Sequence, residues 1–97
     1  IPRGVTSIGE GAFGDCYHLA EVINLSSASL NNTKVEEYAV RIATSGTTKI
    51  TNDSDFKFVQ GNDGIDYLVG YVGEVATNLV LPSKSTNYKI KNRWLWC

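Results

Sequence analysis

Few side chains in this chain could carry covalent chemistry. The one histidine, His18, stands two residues after Cys16, and Cys97 is the only other cysteine. A nucleophilic cysteine needs a base within hydrogen-bonding reach, and a Ser-His-Asp triad would also have to use His18. A structural zinc site needs four ligands, more than these three side chains supply. We therefore predict a protein that is not an enzyme, with no catalytic residue, no metal and no cofactor.

Three glycines have the spacing of a dinucleotide-binding motif, Gly9-x-Gly11-x-x-Gly14. That motif requires a preceding strand, a full helix after it, and a parallel partner strand beyond the helix. The next strand-like stretch begins near Leu19, which leaves too little chain for a crossover of about a dozen residues. The glycines therefore predict a tight return of the chain, not a nucleotide site.

Oxygen-bearing side chains cluster twice, and Ca²⁺ would be the cation for such ligands. The clusters are Asn52, Asp53 and Asp55, and Asn62, Asp63 and Asp66. Both lack the glycine and distal glutamate of an EF-hand loop. We interpret both as turns, the second as a hairpin turn because Asp-Gly suits positive φ. For the cysteines we expect free, partly buried thiols, with a Cys16–Cys97 bridge as the alternative.

Composition narrows the classes of partner. The chain has 97 residues, 42% of them hydrophobic, and a formal net charge of −1. A nucleic-acid-binding module normally carries a clear basic excess, so we predict no nucleic acid. We also predict no membrane insertion, because no apolar run approaches the length of a spanning helix. The start at Ile1-Pro2-Arg3 and the lack of methionine suggest a piece of a longer protein.

Two stretches predict regular structure strongly enough to place the other residues. Thr33 and Glu36 have the spacing of a capping box, and an apolar stripe follows with Gly46 as the stop, which predicts a helix near 34–44. Period-2 alternation places Phe56 and Phe58 on one face before the turn signal Gly61-Asn62-Asp63-Gly64, and a stretch rich in Tyr, Leu and Val follows it. Together they predict a β-hairpin over about 56–72.

The first 19 residues, IPRGVTSIGEGAFGDCYHL, resemble the BspA-type leucine-rich repeat. That repeat has an Ile-Pro, a Val-x-x-Ile-Gly, an Ala-Phe, and then a Cys and a Leu before the next strand. The matching repeat-motif residues are Ile8, Gly9, Ala12, Phe13, Cys16 and Leu19. Leu81-Pro82, Ile90 and Cys97 echo the pattern, but Arg93-Trp94-Leu95-Trp96 stands where Ala-Phe would be.

The resemblance implies an α+β fold class: a leucine-rich-repeat fragment with an inserted helix and a small antiparallel sheet. We expect one repeat over 1–25, an inserted α+β island over 26–78, and the start of a second, degenerate repeat over 79–97. One repeat cannot bury its apolar face alone, so the island should share its core. The predicted core residues are Val5, Ile8, Ala12, Phe13, Leu19, Val22, Tyr38, Ile42, Phe58, Leu68 and Val80.

The same resemblance implies a secreted or cell-surface bacterial protein associated with adhesion. We therefore predict a non-catalytic module that recognises host or cell-surface proteins. A carbohydrate-binding surface and a structural spacer that caps the repeats are the alternatives. The candidate binding residues are Tyr67, Tyr71, Trp94 and Trp96, since Tyr and Trp are enriched at hot spots, although Tyr is also common in strands. Exposed repeat ends could also pair two copies into a homodimer.

Overall fold

The computed structural model describes residues 1–73, 79–84 and 86–91, and their regular structure is almost entirely β. The strands are β1 (Glu21–Ile23), β2 (Arg41–Ala43), β3 (Thr51–Asp53), β4 (Phe56–Gln60), β5 (Asp66–Tyr71) and β6 (Tyr88–Ile90). β1 and β2 form a parallel pair, and the other four form a mixed sheet in the order β3-β4-β5-β6. Its first two pairings are antiparallel, whereas β6 runs parallel to β5.

The predicted helix near 34–44 is wrong. That stretch forms a 3₁₀ turn over Val35–Glu37 and then enters β2. Thr33 does not cap a helix, because its hydroxyl donates to the Leu30 carbonyl at 2.6 Å. Lys34, at the N-cap position, has φ 68° in the left-handed region, which an α-helix cannot continue through. Pairing of Ile42 with Val22 across the parallel strands outweighs the helical spacing of the apolar residues.

The predicted fold class is wrong for the same reason. Across residues 1–73, 79–84 and 86–91 there is no inserted helix, and the chain forms two small sheets in place of an α+β leucine-rich-repeat fragment. The sheet expected to be antiparallel is mixed, because β6 joins β5 in parallel.

A polar pair on β1 and β2 ties the parallel strands together. The Glu21 carboxylate accepts from Arg41 Nη1 at 2.6 Å and from the Lys49 backbone N–H at 2.8 Å. Burial alone would raise the pKa of Glu21, but hydrogen bonds from Lys49, Thr48 and Arg41 more than offset it and hold this pKa below its usual value. The ion pair is mostly buried, so loss of one partner would leave a charge without compensation.

The first residues fold into consecutive turns against residues 32 and 33. The Gly11 N–H donates to the Asn32 carbonyl, the Phe13 N–H donates to the Thr33 carbonyl, and Gly11 has φ 65°. Of the repeat-motif residues, Ile8, Phe13, Cys16 and Leu19 are partly buried, whereas Gly9 and Ala12 are exposed. The Ala-Phe pair therefore does not form the centre of a core.

A β-bulge in the β4–β5 hairpin divides the side chains of β5 between two faces. Lys57 pairs with Gly70 and Phe58 pairs with Leu68, so Val69 is one extra residue on β5. An inserted residue reverses the alternation of side chains beyond it. Tyr67 and Tyr71 therefore lie on opposite faces, whereas simple period-2 counting would place both on one face.

The two faces of the mixed sheet carry separate cores. One consists of Ala20, Val59 and Val69, with Val40, Ile50 and Tyr67 packed against it. The other consists of Phe56, Phe58 and Leu68, with Tyr71 and Tyr88 packed against it. The first core joins the two sheets, because Ala20 precedes β1 and Val40 precedes β2.

The core prediction is correct only in part. Val22, Phe58 and Leu68 are buried, but Ala12 is exposed and the Val80 side chain is 85% exposed. The remaining predicted residues are partly buried. Buried apolar residues that the prediction left out are Ala20, Ala28, Val35, Phe56, Val59 and Val69.

Candidate binding site

A cleft of about 550 Å³ lies where three parts of the chain meet. One wall is the turn that carries Tyr17, the second is the segment from the 3₁₀ turn into β2, and the third is the β4–β5 turn with the end of β6. Its aromatic and charged lining residues are Tyr17, Glu36, Glu37, Tyr38, Asp63, Tyr67 and Lys91. The cleft thus combines three phenol rings with both signs of charge.

Asp15 holds two of the three rings. Its carboxylate accepts from the Tyr17 hydroxyl at 3.1 Å, and its backbone N–H donates to the Tyr38 hydroxyl oxygen at 3.1 Å. The two rings meet edge to face, with centroids 5.5 Å apart and planes at 87°. The hydrogen bond to Asp15 also raises the pKa of Tyr17. Asp15 takes a left-handed φ of 61°, a conformation that Asp tolerates better than most residues.

Asn62 joins the hairpin turn to β2. Its side-chain amide accepts from the Ile42 N–H at 2.6 Å and donates to the Ile42 carbonyl at 3.1 Å. Its backbone N–H donates to the Val40 carbonyl at 3.0 Å. These contacts occupy the outer edge of β2 much as a neighbouring strand would. The opposite side of the pair is also contacted just beyond β1, since the Leu25 N–H donates to the Ile1 carbonyl at 3.0 Å.

Asp63 and Tyr67 form the third wall. The Tyr67 hydroxyl donates to Asp63 Oδ2 at 2.7 Å, and the Ile65 N–H donates to Asp63 Oδ1 at 3.0 Å. The hydrogen bonds from Ile65 and Tyr67 hold the pKa of Asp63 below its usual value. The bond to Asp63 raises the pKa of Tyr67. At neutral pH this wall therefore presents a carboxylate beside a neutral phenol ring.

Lys91 brings an ammonium group into the same cleft. It follows β6, and its backbone N–H donates to the Leu68 carbonyl at 3.0 Å. Its Nζ donates to the Tyr17 carbonyl oxygen at 2.6 Å. Burial lowers the pKa of the Lys91 ammonium. The contact fastens the end of β6 to the turn that carries Tyr17.

The bulge separates the two tyrosines that the sequence proposed as a binding pair. Tyr67 lines the cleft. Tyr71 lies in the other core, with its ring centroid 5.0 Å from that of Phe56. Trp94 and Trp96, the other two candidates, lie outside the described residues.

The residues considered for catalysis and metal binding form no cluster of metal ligands within the described part of the chain. Cys16 is a partly buried free thiol, His18 is exposed, and Cys97 lies outside the described residues. Over residues 1–73, 79–84 and 86–91, no group of three or more His, Cys, Asp or Glu could hold a metal ion. Asp53 ends β3 and Asp55 precedes β4, in a tight turn where Ser54 has φ 56°.

A second cleft, of about 540 Å³, has mainly basic charged groups: Arg41, Lys49 and Lys84, with Asp66. The Arg41 charge is matched by Glu21 at 2.6 Å. Lys84 Nζ lies 4.0 Å from the centroid of the Phe58 ring, a cation–π contact. Two of its three cations are therefore already engaged within the chain.

Comparisons of the chain with protein-family models, with curated proteins and with solved structures find no match. No helix among the described residues has the length and apolar character needed to cross a membrane. The site's geometry and the sequence resemblance are therefore the grounds on which a function can be proposed.

Sequence reasoning missed most of this cleft. It assigned Tyr38 to a helix core, treated Asn62 and Asp63 as turn residues, and gave no role to Lys91. Spacing offered one signal, since Tyr67 stands four residues after Asp63 across the Asp-Gly turn. The approach of Tyr17 to this turn depends on long-range packing, which the spacing does not reveal.

Proposed function

We propose that this chain is a non-catalytic recognition module that binds a partner protein through the tyrosine cleft, meaning the cleft lined by Tyr17, Tyr38 and Tyr67. The observation that carries the proposal is that three phenol rings surround one cleft and each takes part in a hydrogen bond to Asp15 or Asp63. Tyrosine supplies a large amphipathic contact area with few rotatable bonds, which favours recognition of proteins.

Preorganisation supports the proposal. Asp15 restrains two rings and Asp63 restrains the third, so their side chains lose less conformational entropy on binding. The wall formed by Asp63 and Tyr67 is in turn attached to β2 through Asn62. A partner would therefore meet a surface whose aromatic groups are already in place.

Carbohydrate is the second candidate ligand. Phenol rings can stack on sugar rings, and Asp63 and Lys91 place an acceptor and a donor in the same cleft. Protein remains the first candidate because hot spots of protein interfaces are enriched in tyrosine. The resemblance of the first 19 residues to a surface-protein repeat adds the proposal that the chain acts in a secreted or cell-surface protein.

Selection from a displayed peptide library tests the proposal, with a glycan array screened in parallel. Tyr17→Ala is the informative variant, since Tyr17 is 42% exposed and belongs to neither core cluster. Leu25→Ala is the matched control, because Leu25 is 40% exposed and does not line the cleft.

The expected result is a set of peptides that bind the wild type and Leu25→Ala but lose affinity for Tyr17→Ala. Glycans with that pattern would instead favour the carbohydrate candidate. Ligands that bind all three proteins equally would contradict a role for the cleft. Failure of both screens would favour a structural spacer.

A further inference from the structure

The charges around the tyrosine cleft are unbalanced. Glu36, Glu37 and Asp63 contribute carboxylates, and Lys91 contributes the one ammonium among the described lining residues. Lys34 lies 3.9 Å from Glu37, but both side chains are more than half exposed, so solvent and salt screen that pair. Lys89 also attracts Asp63 from outside the lining. The excess of carboxylates over ammonium groups is therefore a property of the residues that line the cleft.

We propose that the tyrosine cleft binds a basic side chain, lysine or arginine, of the partner protein. This inference rests on the proposed function and names the chemistry that the cleft selects. The faces of phenol rings attract cations, and a nearby carboxylate adds to that attraction. The cleft offers both within one concave surface.

Asp63 is the carboxylate best placed to receive the incoming cation. Its two oxygens already accept from the Ile65 N–H and the Tyr67 hydroxyl, yet each carboxylate oxygen has a further acceptor site. The same bonds fix its position beside the Tyr67 ring. Glu36 and Glu37 are the exposed residues of the 3₁₀ turn, where they would add attraction at the rim.

Lys91 shows that the cleft accommodates an ammonium group. Its Nζ reaches the Tyr17 carbonyl oxygen at 2.6 Å, and it is the chain's own cation among the three rings and three carboxylates. Because like charges repel, Lys91 would oppose a second cation. Removal of its charge should therefore tighten the binding of a basic side chain.

Three tripeptides test the inference directly: the basic Ac-Gly-Lys-Gly-NH₂, the neutral Ac-Gly-Gln-Gly-NH₂ and the acidic Ac-Gly-Glu-Gly-NH₂. Each is titrated against the whole chain, and NMR follows the ring resonances of Tyr17, Tyr38 and Tyr67. We expect the lysine peptide to shift all three rings and to bind about tenfold more tightly than the glutamine peptide. The basic cleft provides an internal control, because its Lys49 and Lys84 should not respond to the lysine peptide.

Charge variants separate local recognition from net charge. Glu36→Gln with Glu37→Gln removes two exposed carboxylates at the cleft, and we expect weaker binding of the lysine peptide. The matched control is Glu10→Gln with Asp55→Asn, which removes two exposed carboxylates that do not line it. The control should bind as the wild type does.

For Lys91→Met we expect the opposite change: the lysine peptide should bind this variant more tightly than it binds the wild type. Weaker binding to a Lys91→Met protein whose Tyr17 and Tyr38 ring resonances match those of the wild type would overturn the basic-side-chain inference, because the cleft would then be intact. Equal affinities of the wild type for the lysine and glutamine peptides would overturn it as well. Either result would leave the proposed function standing if selected peptides still lost affinity for Tyr17→Ala. Equal binding of those selected peptides to Tyr17→Ala would instead refute the proposed function itself.

Discussion

Replacement of Asn62 by alanine should loosen the hairpin turn from β2. The substitution removes the two side-chain hydrogen bonds to Ile42, at 2.6 and 3.1 Å. The backbone bond from Asn62 to the Val40 carbonyl, at 3.0 Å, can remain. The change therefore tests the contribution of one amide to the contact between the two sheets.

The magnitude follows from those two bonds. An ordinary intramolecular hydrogen bond contributes about 1 kcal/mol net, so their loss should lower the free energy of unfolding by about 2 kcal/mol. Both bonds are solvent-accessible, so water can hydrogen-bond to the Ile42 N–H and carbonyl once the amide is removed. The extra cost of a buried polar group without a partner therefore does not apply. For a domain of this size, about 2 kcal/mol corresponds to a fall in Tm of about 10 °C.

Two measurements check the Asn62→Ala prediction. Thermal denaturation followed by circular dichroism gives the fall in Tm, with Asn31→Ala as the control because Asn31 is an exposed asparagine in another turn. Hydrogen exchange should accelerate at the Ile42 amide, whose N–H loses its acceptor. A variant that melts with the control and keeps a slow Ile42 amide would refute the role assigned to Asn62.

Three further predictions concern the two sheets. The pKa of Glu21 lies below its usual 4.5, so the contribution of its ionised form to stability is complete above that pH and is lost as pH falls through the folded-state pKa. Chemical denaturation should therefore show that acid lowers the stability of Glu21→Gln less than that of the wild type. Gly61→Ala should lower the free energy of unfolding by about 1–3 kcal/mol, because a Cβ at Gly61 would lie 3.0 Å from the Val40 carbonyl oxygen. Gly4→Ala is the control and should melt as the wild type does, because a Cβ at Gly4 meets nothing within 4 Å. Leu68→Ala should lower the free energy of unfolding, measured in urea, by about 2–5 kcal/mol because Leu68 is fully buried. Val80→Ala is the control at an exposed position. Equally small effects of the two substitutions would contradict the assigned core.

The hairpin shows what local sequence can predict. Asp63-Gly64 lies in the turn between β4 and β5, and Gly64 takes φ 82°, which is the backbone chemistry that motif indicates. The predicted core also included Phe58 and Leu68, which are buried. Such features depend on residues close in sequence or on one strand pairing.

The 34–44 stretch shows where local signals fail. Its apolar residues have helical spacing, but Thr33 bonds to the Leu30 carbonyl and β2 pairs with β1, about twenty residues earlier. Tertiary pairing outweighs helix propensity, which differs by well under 1 kcal/mol between most residues. The sequence pattern likewise did not predict the bulge at Val69, which places Tyr67 and Tyr71 on opposite faces of the sheet.

The candidate site was predictable only at Tyr67. Two other rings reach it because Asp15 bonds to both Tyr17 and Tyr38, and Tyr38 is distant from Asp15 in the chain. Trp94 and Trp96 remain a prediction, since they lie outside the described residues. Pairing of two copies also remains a prediction, although Asn62 contacts the outer edge of β2, one edge where such pairing could occur.

The affinity of the tightest library-selected peptide for the wild type and for Tyr17→Ala tests the central claim most directly. Calorimetric titration under identical conditions would measure both, with Leu25→Ala as the reference for a change of similar exposure outside the cleft. The account predicts at least about a tenfold loss of affinity in Tyr17→Ala, as expected for a hot-spot ring. Equal affinities of the peptide for all three proteins would contradict recognition through the tyrosine cleft.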